Sequence, residues 1–307
     1  MNFTLRQLQY FSAVAEQRNF GRAAQACNVS QPALSVQIKA LEETLGGPLF
    51  ERQARDILIT PLGRDVLDYA RQVLGAADRL DRFAKDHSGG HRSLSIGIIP
   101  TIAPYLLPGV LAGLRSSDVS LRVQIREART ERLLAMLRAG EIDAGVVALP
   151  AGGSELFELP LFEDRFLLAG SHARLQRMAS DPESLRPLDL KTAQLMLLDD
   201  GHCLTDQALE VCGQDRSSEL INMGASSLAT LSRLVAEGFG LTLMPELAAR
   251  AEAEAVPGLK LRRFCTPQPA RTVGLVRRSS TGDEGWFNGL AEVIRQVGQG
   301  IVSATRA

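Results

Sequence analysis

Two of the four cysteines in this 307-residue chain, Cys203 and Cys212, stand nine positions apart in the segment DDGHCLTDQALEVCG. Gly201 and His202 precede Cys203 where a strand is expected to turn into a helix, and the free amides and dipole of a helix start favour a thiolate over a thiol. A downward shift of the Cys203 pKa is therefore expected. A thiolate attacks a peroxide to give a sulfenic acid, and a second cysteine can condense with it to a disulfide. His202 adds polarity, and Asp206, one turn on, is placed to bond the helix amides or a bound oxidant. If residues 204–211 are helical, the two sulfurs lie about 13 Å apart along the axis, whereas a disulfide needs the Cα atoms within about 7 Å. Oxidation would then have to unwind that helix. Spacing alone leaves open a second reading, two unrelated thiols of which one is buried.

The remaining candidates for chemistry are sparse. Cys27, in a short early helix, and Cys265, in RRFCTP, read as small buried hydrophobes. His87, His91, His172 and His202 show no metal-ligand spacing, and neither a phosphate-cradling glycine motif nor a triad pattern is present, so no metal, no cofactor and no enzyme is expected. Four scattered cysteines are too few for a disulfide scaffold. The longest apolar stretch, around Leu106 to Leu114, is far short of the roughly 18 residues of a spanning helix, and the start MNFTLRQLQYF has no basic region followed by an apolar run. A soluble, cytoplasmic protein without a membrane partner is expected.

The net charge is −1, from 34 basic and 35 acidic residues, which gives no global attraction to nucleic acid. The average hides two modules. Residues 1–92 carry 12 basic against 10 acidic groups, net +2, leaving 22 against 25, net −3, for the rest.

In the first module, Leu5, Leu8, Phe11 and Ala15, with Tyr10 and Val14, follow the 3.6-residue period of an amphipathic helix over Thr4–Arg18. Gly21–Cys27 reads as a second helix, Asn28 and Val29 as a turn, and Ser30 as the cap of a third with Pro32 near its start. Leu34, Ile38, Leu41 and Leu45 form its inner stripe. Pro32, Ser35, Val36 and Lys39 project outward, a face that suits a DNA major groove, or else simply a solvated surface. Leu49–Arg52 and Ile57–Ile59 read as a two-stranded wing, with Arg52 and Arg55 placed to meet phosphates. From Pro61 to about Asp86, Val66, Ala70, Val73, Ala77, Leu80 and Ala84 recur at alternating spacings of four and three, a heptad seam that needs a partner helix. Those residues would span roughly 39 Å, enough to hold two reading heads about one DNA turn apart. A helix packed on its own domain is the alternative.

The run FGRAAQACNVSQPALSVQIKALEETLGGPLFER, Phe20 to Arg52, followed by TPLGRDVL, resembles the winged helix-turn-helix and linker helix of LysR-type transcriptional regulators. The resemblance implies a promoter-binding homodimer joined through the linker helix, assembling as a homotetramer and working with RNA polymerase. Ser30, Gln31, Pro32, Ser35, Val36 and Lys39 would face the operator, and Arg52 and Arg55 its phosphates.

Residues 87–92, HSGGHR, read as a glycine-rich hinge. Beyond it Leu94–Ile98, Leu121–Ile125 and Ile142–Ala148 read as strands and Tyr105–Arg115 and Thr130–Ala139 as helices, the rhythm of parallel α/β units. Phe166–Ala169, Leu195–Leu198, Ile221–Met223, Leu241–Met244 and Thr272–Val276 follow as strands. Helices are expected from about Leu204, over Ser227–Glu237, and near Glu284–Val302. The expected fold class is α/β with an all-α winged helix-turn-helix N-terminal domain and two Rossmann-like lobes resembling periplasmic binding proteins. The domains would be 1–60 for DNA reading, 61–86 for the linker helix, 87–92 for the hinge and 93–307 for regulation, with lobe I from 93–162 and 268–307 and lobe II from 163–267. Ligands of such sheets sit beyond strand ends beside helix starts, where Ile99–Thr101, Thr130 and Asp199–Cys203 fall.

The strings GHC and DQAL, the cysteine that follows them, and IPTIAPYLLP at Ile99–Pro108 resemble, along the whole chain, the hydrogen peroxide-sensing branch of the same family. That resemblance implies Cys203 as the peroxidatic and Cys212 as the resolving cysteine. It places Thr101, Thr130, His202 and Asp206 where peroxide is bound or activated, and Arg271 near the sensing thiol. Thr205 stands where the family often has arginine, a change that bears on redox poise or on packing of the oxidised form. The implied function is an activator of antioxidant genes switched by a reversible intramolecular disulfide. A regulator of the same type answering to a metabolite in the interlobe cleft is the alternative, and a thiol peroxidase fits the DNA-reading module poorly.

Overall fold

The computed structural model describes residues 2–52, 57–89, 93–117, 122–177, 185–190, 195–214, 223–281 and 285–306. They form two compact units, divided near Gly90.

The first unit opens with α1 (Leu5–Gln17), started by a capping box in which the Thr4 hydroxyl accepts from the Gln7 amide and the Gln7 side chain accepts from the Thr4 amide at 2.8 Å. Next, α2 (Phe20–Ala26) begins at Asn19, whose side chain accepts from the Arg22 amide at 3.0 Å. Then α3 (Gln31–Leu45) is capped by Ser30 and ends at Gly46 with φ 82°, a left-handed position that glycine takes without strain. Phe11, Val14, Leu34, Leu41 and Leu49 are fully buried between these helices, and the Phe11 and Phe20 rings pack on Phe50 at 5.3 and 6.0 Å. The expected wing is present as β1 (Phe50–Arg52) paired antiparallel with β2 (Ile57–Ile59). The Glu42 carboxylate accepts from the Leu49 amide at 2.8 Å and fixes the approach of the chain to β1.

The linker helix α4 (Pro61–Gly89) runs three residues into the expected hinge; residues 90–92 lie outside the described residues. Its exposed seam keeps Val73 and Leu80 of the expected one and departs from it at Ala70. Ala70 is buried in the core of the first unit, because α1 packs on α4 there and a methyl group lets the two helices approach. Among the described residues of α4 the large exposed apolar side chains are Leu62, Tyr69, Val73 and Leu80, still a heptad pattern, with Tyr69 taking the place given to Ala70.

The second unit starts with β3 (Ser93–Ile98), α5 (Ala103–Ser117), β4 (Arg122–Glu127), α6 (Thr130–Ala139) and β5 (Ala144–Leu149), and here β4, β3 and β5 are parallel as expected. It continues with β6 (Leu156–Ser171), α7 (His172–Gln176), a 3₁₀ turn at Pro187–Asp189, α8 (Cys203–Val211), α9 (Leu228–Ala236), β7 (Leu241–Pro245), α10 (Glu246–Ala255), β8 (Leu259–Arg263), β9 (Ala270–Arg278) and α11 (Trp286–Arg306). The strand order is β4-β3-β5-β9-β6-β7, with β8 also paired to β6. Every pair beyond β5 in this order is antiparallel, which corrects the expectation of parallel units throughout. The reason is β6. It pairs with β9 over Leu156–Arg165, then with β7 and β8 from Phe166 on, so one strand serves two hydrophobic cores. The expected lobe boundary at 162/163 falls inside it.

Two other strand expectations change. Leu195–Leu198 forms a single parallel bridge from Leu195 to Leu241 in place of a strand. Met223 is irregular, and residues 221 and 222 lie outside the described residues.

Candidate functional site

Cys203 is the first residue of α8 and Cys212 is its C-cap, so the pair brackets one helix, and both are free thiols. Gly201, with φ 87°, makes the turn that precedes α8. The inner face of α8 is Leu204, Ala208 and Leu209, buried with Cys212 in the second of the two cores. Cys203 is half-buried and packs against the first core, the one that holds Ile98, Ile99 and Ile102. One helix thus offers a thiol to each core. Burial pushes the Cys212 thiol up to about 11, which keeps it protonated at neutral pH.

His202 is buried at the N-cap of α8. Burial, and after it the Arg129 charge, push its imidazole below the ordinary histidine range, with Asp199 pulling the other way. The Arg129 guanidinium lies so close to Gly201 that a Cβ there would stand 3.1 Å from its Nη1. Arg129 immediately precedes α6, so the starts of α6 and α8 meet at this contact.

Thr101, in the turn after β3, and Arg271, on β9, are buried together. Arg271 Nη1 donates to the Thr101 hydroxyl at 3.0 Å and Nη2 to its carbonyl at 3.3 Å. Behind them Asp164 on β6 accepts from Arg271 Nε at 2.9 Å and from the Leu247 amide at 2.9 Å. Both ions of this pair are almost fully enclosed, at 1% and 0% exposure. Burial raises the Asp164 carboxyl above its ordinary range, and the Arg271 charge works against that rise.

Thr130 is the first residue of α6, and its hydroxyl is buried without a hydrogen-bond partner. The side-chain oxygen of Gln207 on α8 is buried in the same condition. Among the described residues Ser12, Glu252 and Arg277 also carry such an atom, and each buried polar atom of this kind calls for an explanation. The sequence reading missed Gln207 and Arg129. The only signal for Gln207 was its position one helical turn after Cys203. Asp206 is exposed on the first turn of α8, and Thr205 turns inward, donating its hydroxyl to the Leu198 carbonyl at 2.9 Å. Cys27 and Cys265 are half-buried where full burial was expected. Among the described residues no cluster of metal-ligating side chains occurs.

On the first unit, Gln31, Pro32, Val36 and Lys39 are exposed on α3 and Ser35 is partly so, beside a groove of about 340 Å³ that Ser35, Val36 and Lys39 help to line. Arg52 lies on β1, and Arg55 lies outside the described residues. The Ser30 hydroxyl accepts from the Ala33 amide at 3.3 Å, so part of its work is structural. Ser30→Ala is expected to cost about 1 kcal/mol of folding free energy, read as a lower urea midpoint of the full chain; an unchanged midpoint would remove that role.

A helix-turn-helix unit with a wing, followed by a sheet unit with buried polar groups around a helix start, defines a ligand- or signal-responsive DNA-binding regulator. Residues 5–64 match the family described as bacterial regulatory helix-turn-helix protein, lysR family, and residues 87–298 the LysR substrate binding domain. The chain belongs to the LysR family. It is 40% identical over 298 residues to a probable hydrogen peroxide-inducible genes activator of Mycobacterium avium, covering 96% of this chain and 94% of that one. It is 39% identical over 294 residues to the DNA-binding transcriptional dual regulator OxyR of Escherichia coli K12, covering 95% and 94%. Among solved structures, a full-length OxyR variant from Pseudomonas aeruginosa superimposes with a TM-score of 0.68 at 33% identity, over 96% of this chain and 95% of that one. A hydrogen peroxide-bound OxyR variant from Corynebacterium glutamicum does so with a TM-score of 0.60 at 35% identity, over 99% and 96%.

Proposed function

We propose that this chain is a transcriptional regulator that senses hydrogen peroxide through a reversible Cys203–Cys212 disulfide and thereby switches antioxidant genes. The observation that carries the reading is a single helix with a thiol at each end, Cys203 packed on the first core and Cys212 buried in the second, with His202 buried at its N-cap and Arg129, the neighbour of Thr130, against Gly201. Peroxide is held by the orphaned Thr130 hydroxyl and Gln207 carbonyl and by the Thr101–Arg271 pair, with Asp206 at the rim. The Cys203 thiolate attacks one peroxide oxygen, the O–O bond breaks, and hydroxide leaves and is protonated, giving a Cys203 sulfenic acid. The Cys212 thiol then displaces water from that sulfur to form the disulfide. Nine helical residues separate the sulfurs by about 13 Å of axis, against about 7 Å between Cα atoms in a disulfide, so α8 must unwind. That rearrangement is the signal. Mass mapping after one equivalent of peroxide, beside operator footprints of both forms, is expected to give a Cys203–Cys212 disulfide and an altered footprint. Thiols inert to micromolar peroxide, with a metabolite raising the melting temperature, would replace peroxide by a metabolite as the signal. Steady peroxide turnover with a thiol donor, beyond one equivalent per subunit, would make the protein a peroxidase instead of a regulator.

The DNA-reading part is assigned to residues 1–60, the linker helix to 61–86, and regulation to 93–307. The exposed seam of α4 supports a homodimer, assembling further as a homotetramer that acts on promoter DNA with RNA polymerase in the cytoplasm. No described helix is long and apolar enough to cross a membrane. Val36, 63% exposed on α3 and lining one groove with Ser35 and Lys39, is placed to touch a thymine methyl. Val36→Ala is expected to weaken operator binding by roughly tenfold, about 1.4 kcal/mol. Replacing operator thymines by deoxyuridine should produce the same loss in the parent and none further in the variant. Equal sensitivity of both proteins to deoxyuridine would sink this contact.

A further inference from the structure

Glu246 lies outside the peroxide pocket proposed above, yet an unbroken run of bonds joins it to that pocket. It opens α10 with its side chain at 0% exposure, between Arg263 of β8, whose Nη1 is at 2.7 Å, and Arg306 at the end of α11, whose Nη2 is at 2.7 Å. The cradle is closed on its other sides. Arg263 also donates to the Thr305 carbonyl at 2.7 Å, and the Thr305 hydroxyl donates to the Glu246 carbonyl at 3.1 Å. Arg306 further donates to the Glu163 carbonyl at 3.2 Å. The next residue of α10, Leu247, gives its amide to Asp164, and Asp164 holds the guanidinium that Arg271 lays on Thr101.

Burial would raise the Glu246 carboxyl, but the hydrogen bonds from Arg306 and Arg263 outweigh it and hold the group below its ordinary range. A charged cluster of this kind is a poor way to gain stability, since apolar side chains of similar volume serve as well or better. What it does supply is direction. Two arginines from different elements fix the first turn of α10 in place, and that turn carries the Leu247 amide that orients Asp164.

We infer that Glu246, clamped by Arg263 and Arg306, is a positioning residue for the peroxide pocket: it holds the start of α10 so that Asp164 seats Arg271 on Thr101. This rests on the reading of Thr101 and Arg271 as peroxide-binding groups. The end of the last helix thereby tunes a reaction that takes place at the start of α8.

The test uses the reduced full-length chain and two variants, Arg306→Ala, which changes a partly exposed side chain, and Glu246→Gln, which keeps the shape and removes the charge. Three quantities are read: the rate of Cys203 oxidation by hydrogen peroxide, the rate of Cys203 alkylation by iodoacetamide, which needs no peroxide pocket, and the melting temperature. Peroxide oxidation is expected to slow roughly tenfold, as when outer-shell support is lost, with alkylation changed by less than about twofold and part of the rate recovered in Arg306→Lys. An unchanged peroxide rate in both variants, or equal slowing of both reactions, overturns the inference. Thr101→Val and Arg271→Lys are measured beside them. If those two leave the peroxide rate unchanged, the pocket reading itself fails; if they slow it while the clamp variants do not, only the role of Glu246 fails.

Discussion

Cys203→Ser is expected to abolish induction by hydrogen peroxide while leaving operator binding by the reduced protein intact. The side chain is half-buried at the first position of α8, so a hydroxyl fits there without opening a cavity, and the fold of α8 rests on Leu204, Ala208, Leu209 and Cys212. What the substitution removes is the nucleophile. Cys212 cannot replace it, because it is buried in the second core and burial pushes its thiol up to about 11. Cys212→Ser should behave differently. It should still consume one equivalent of peroxide at Cys203, detected as a sulfenic acid by dimedone labelling, but it should form no intramolecular disulfide and drive no unwinding of α8. Reporter induction and operator binding, measured for both variants, decide the matter. Normal induction in Cys203→Ser would end the proposal that this thiol is the sensor.

The helices of the first unit were legible because each carries its own start signal. Thr4, Asn19 and Ser30 all cap as their types suggest, and the apolar period names the buried face without help from distant residues. The seam of α4 was legible as a period and at Val73 and Leu80, but not at Ala70. Ala70 and Tyr69 both fit a heptad, and which one faces outward is decided by where α1 lies, a tertiary fact. In the second unit, short apolar runs such as Leu94–Ile98 announced buried parallel strands. The first half of β6, LFELPLFEDR, did not, since its proline and four charged groups suit a strand that crosses between two cores. The thiol pair and its helix could be read from DDGHCLTDQALEVCG. Asp164 could not, because its meaning depends on Arg271, more than a hundred residues away, and on an amide of α10.

That dependence makes Arg271→Ala the substitution with the largest expected effect on stability, a loss of roughly 3–5 kcal/mol, because it strands a buried carboxyl whose partner has gone. Asp164 would keep only the Leu247 amide as donor, and Thr101 would lose both of its contacts with the guanidinium. The sign of the pH dependence follows from linkage. Burial raises the Asp164 carboxyl, and without the arginine nothing of comparable strength opposes that rise, so the folded variant holds a proton that the unfolded chain releases near pH 4. Its stability should therefore fall as pH rises from about 4 through the raised folded value, and the deficit relative to the parent should be larger at pH 8 than at pH 5. Thermal unfolding at the two pH values measures this directly. An equal deficit at both would mean that Asp164 is not the group left stranded. Stability and sensing then separate in the double variant Asp164→Leu with Arg271→Met. Apolar side chains of similar bulk should recover much of the lost melting temperature, since a buried ion pair replaced whole costs far less than one that is broken. Oxidation of Cys203 by peroxide should stay slow, because no guanidinium remains at Thr101. A double variant that regained both stability and full peroxide reactivity would reduce the pair to a packing element and would remove Arg271 from the sensing chemistry.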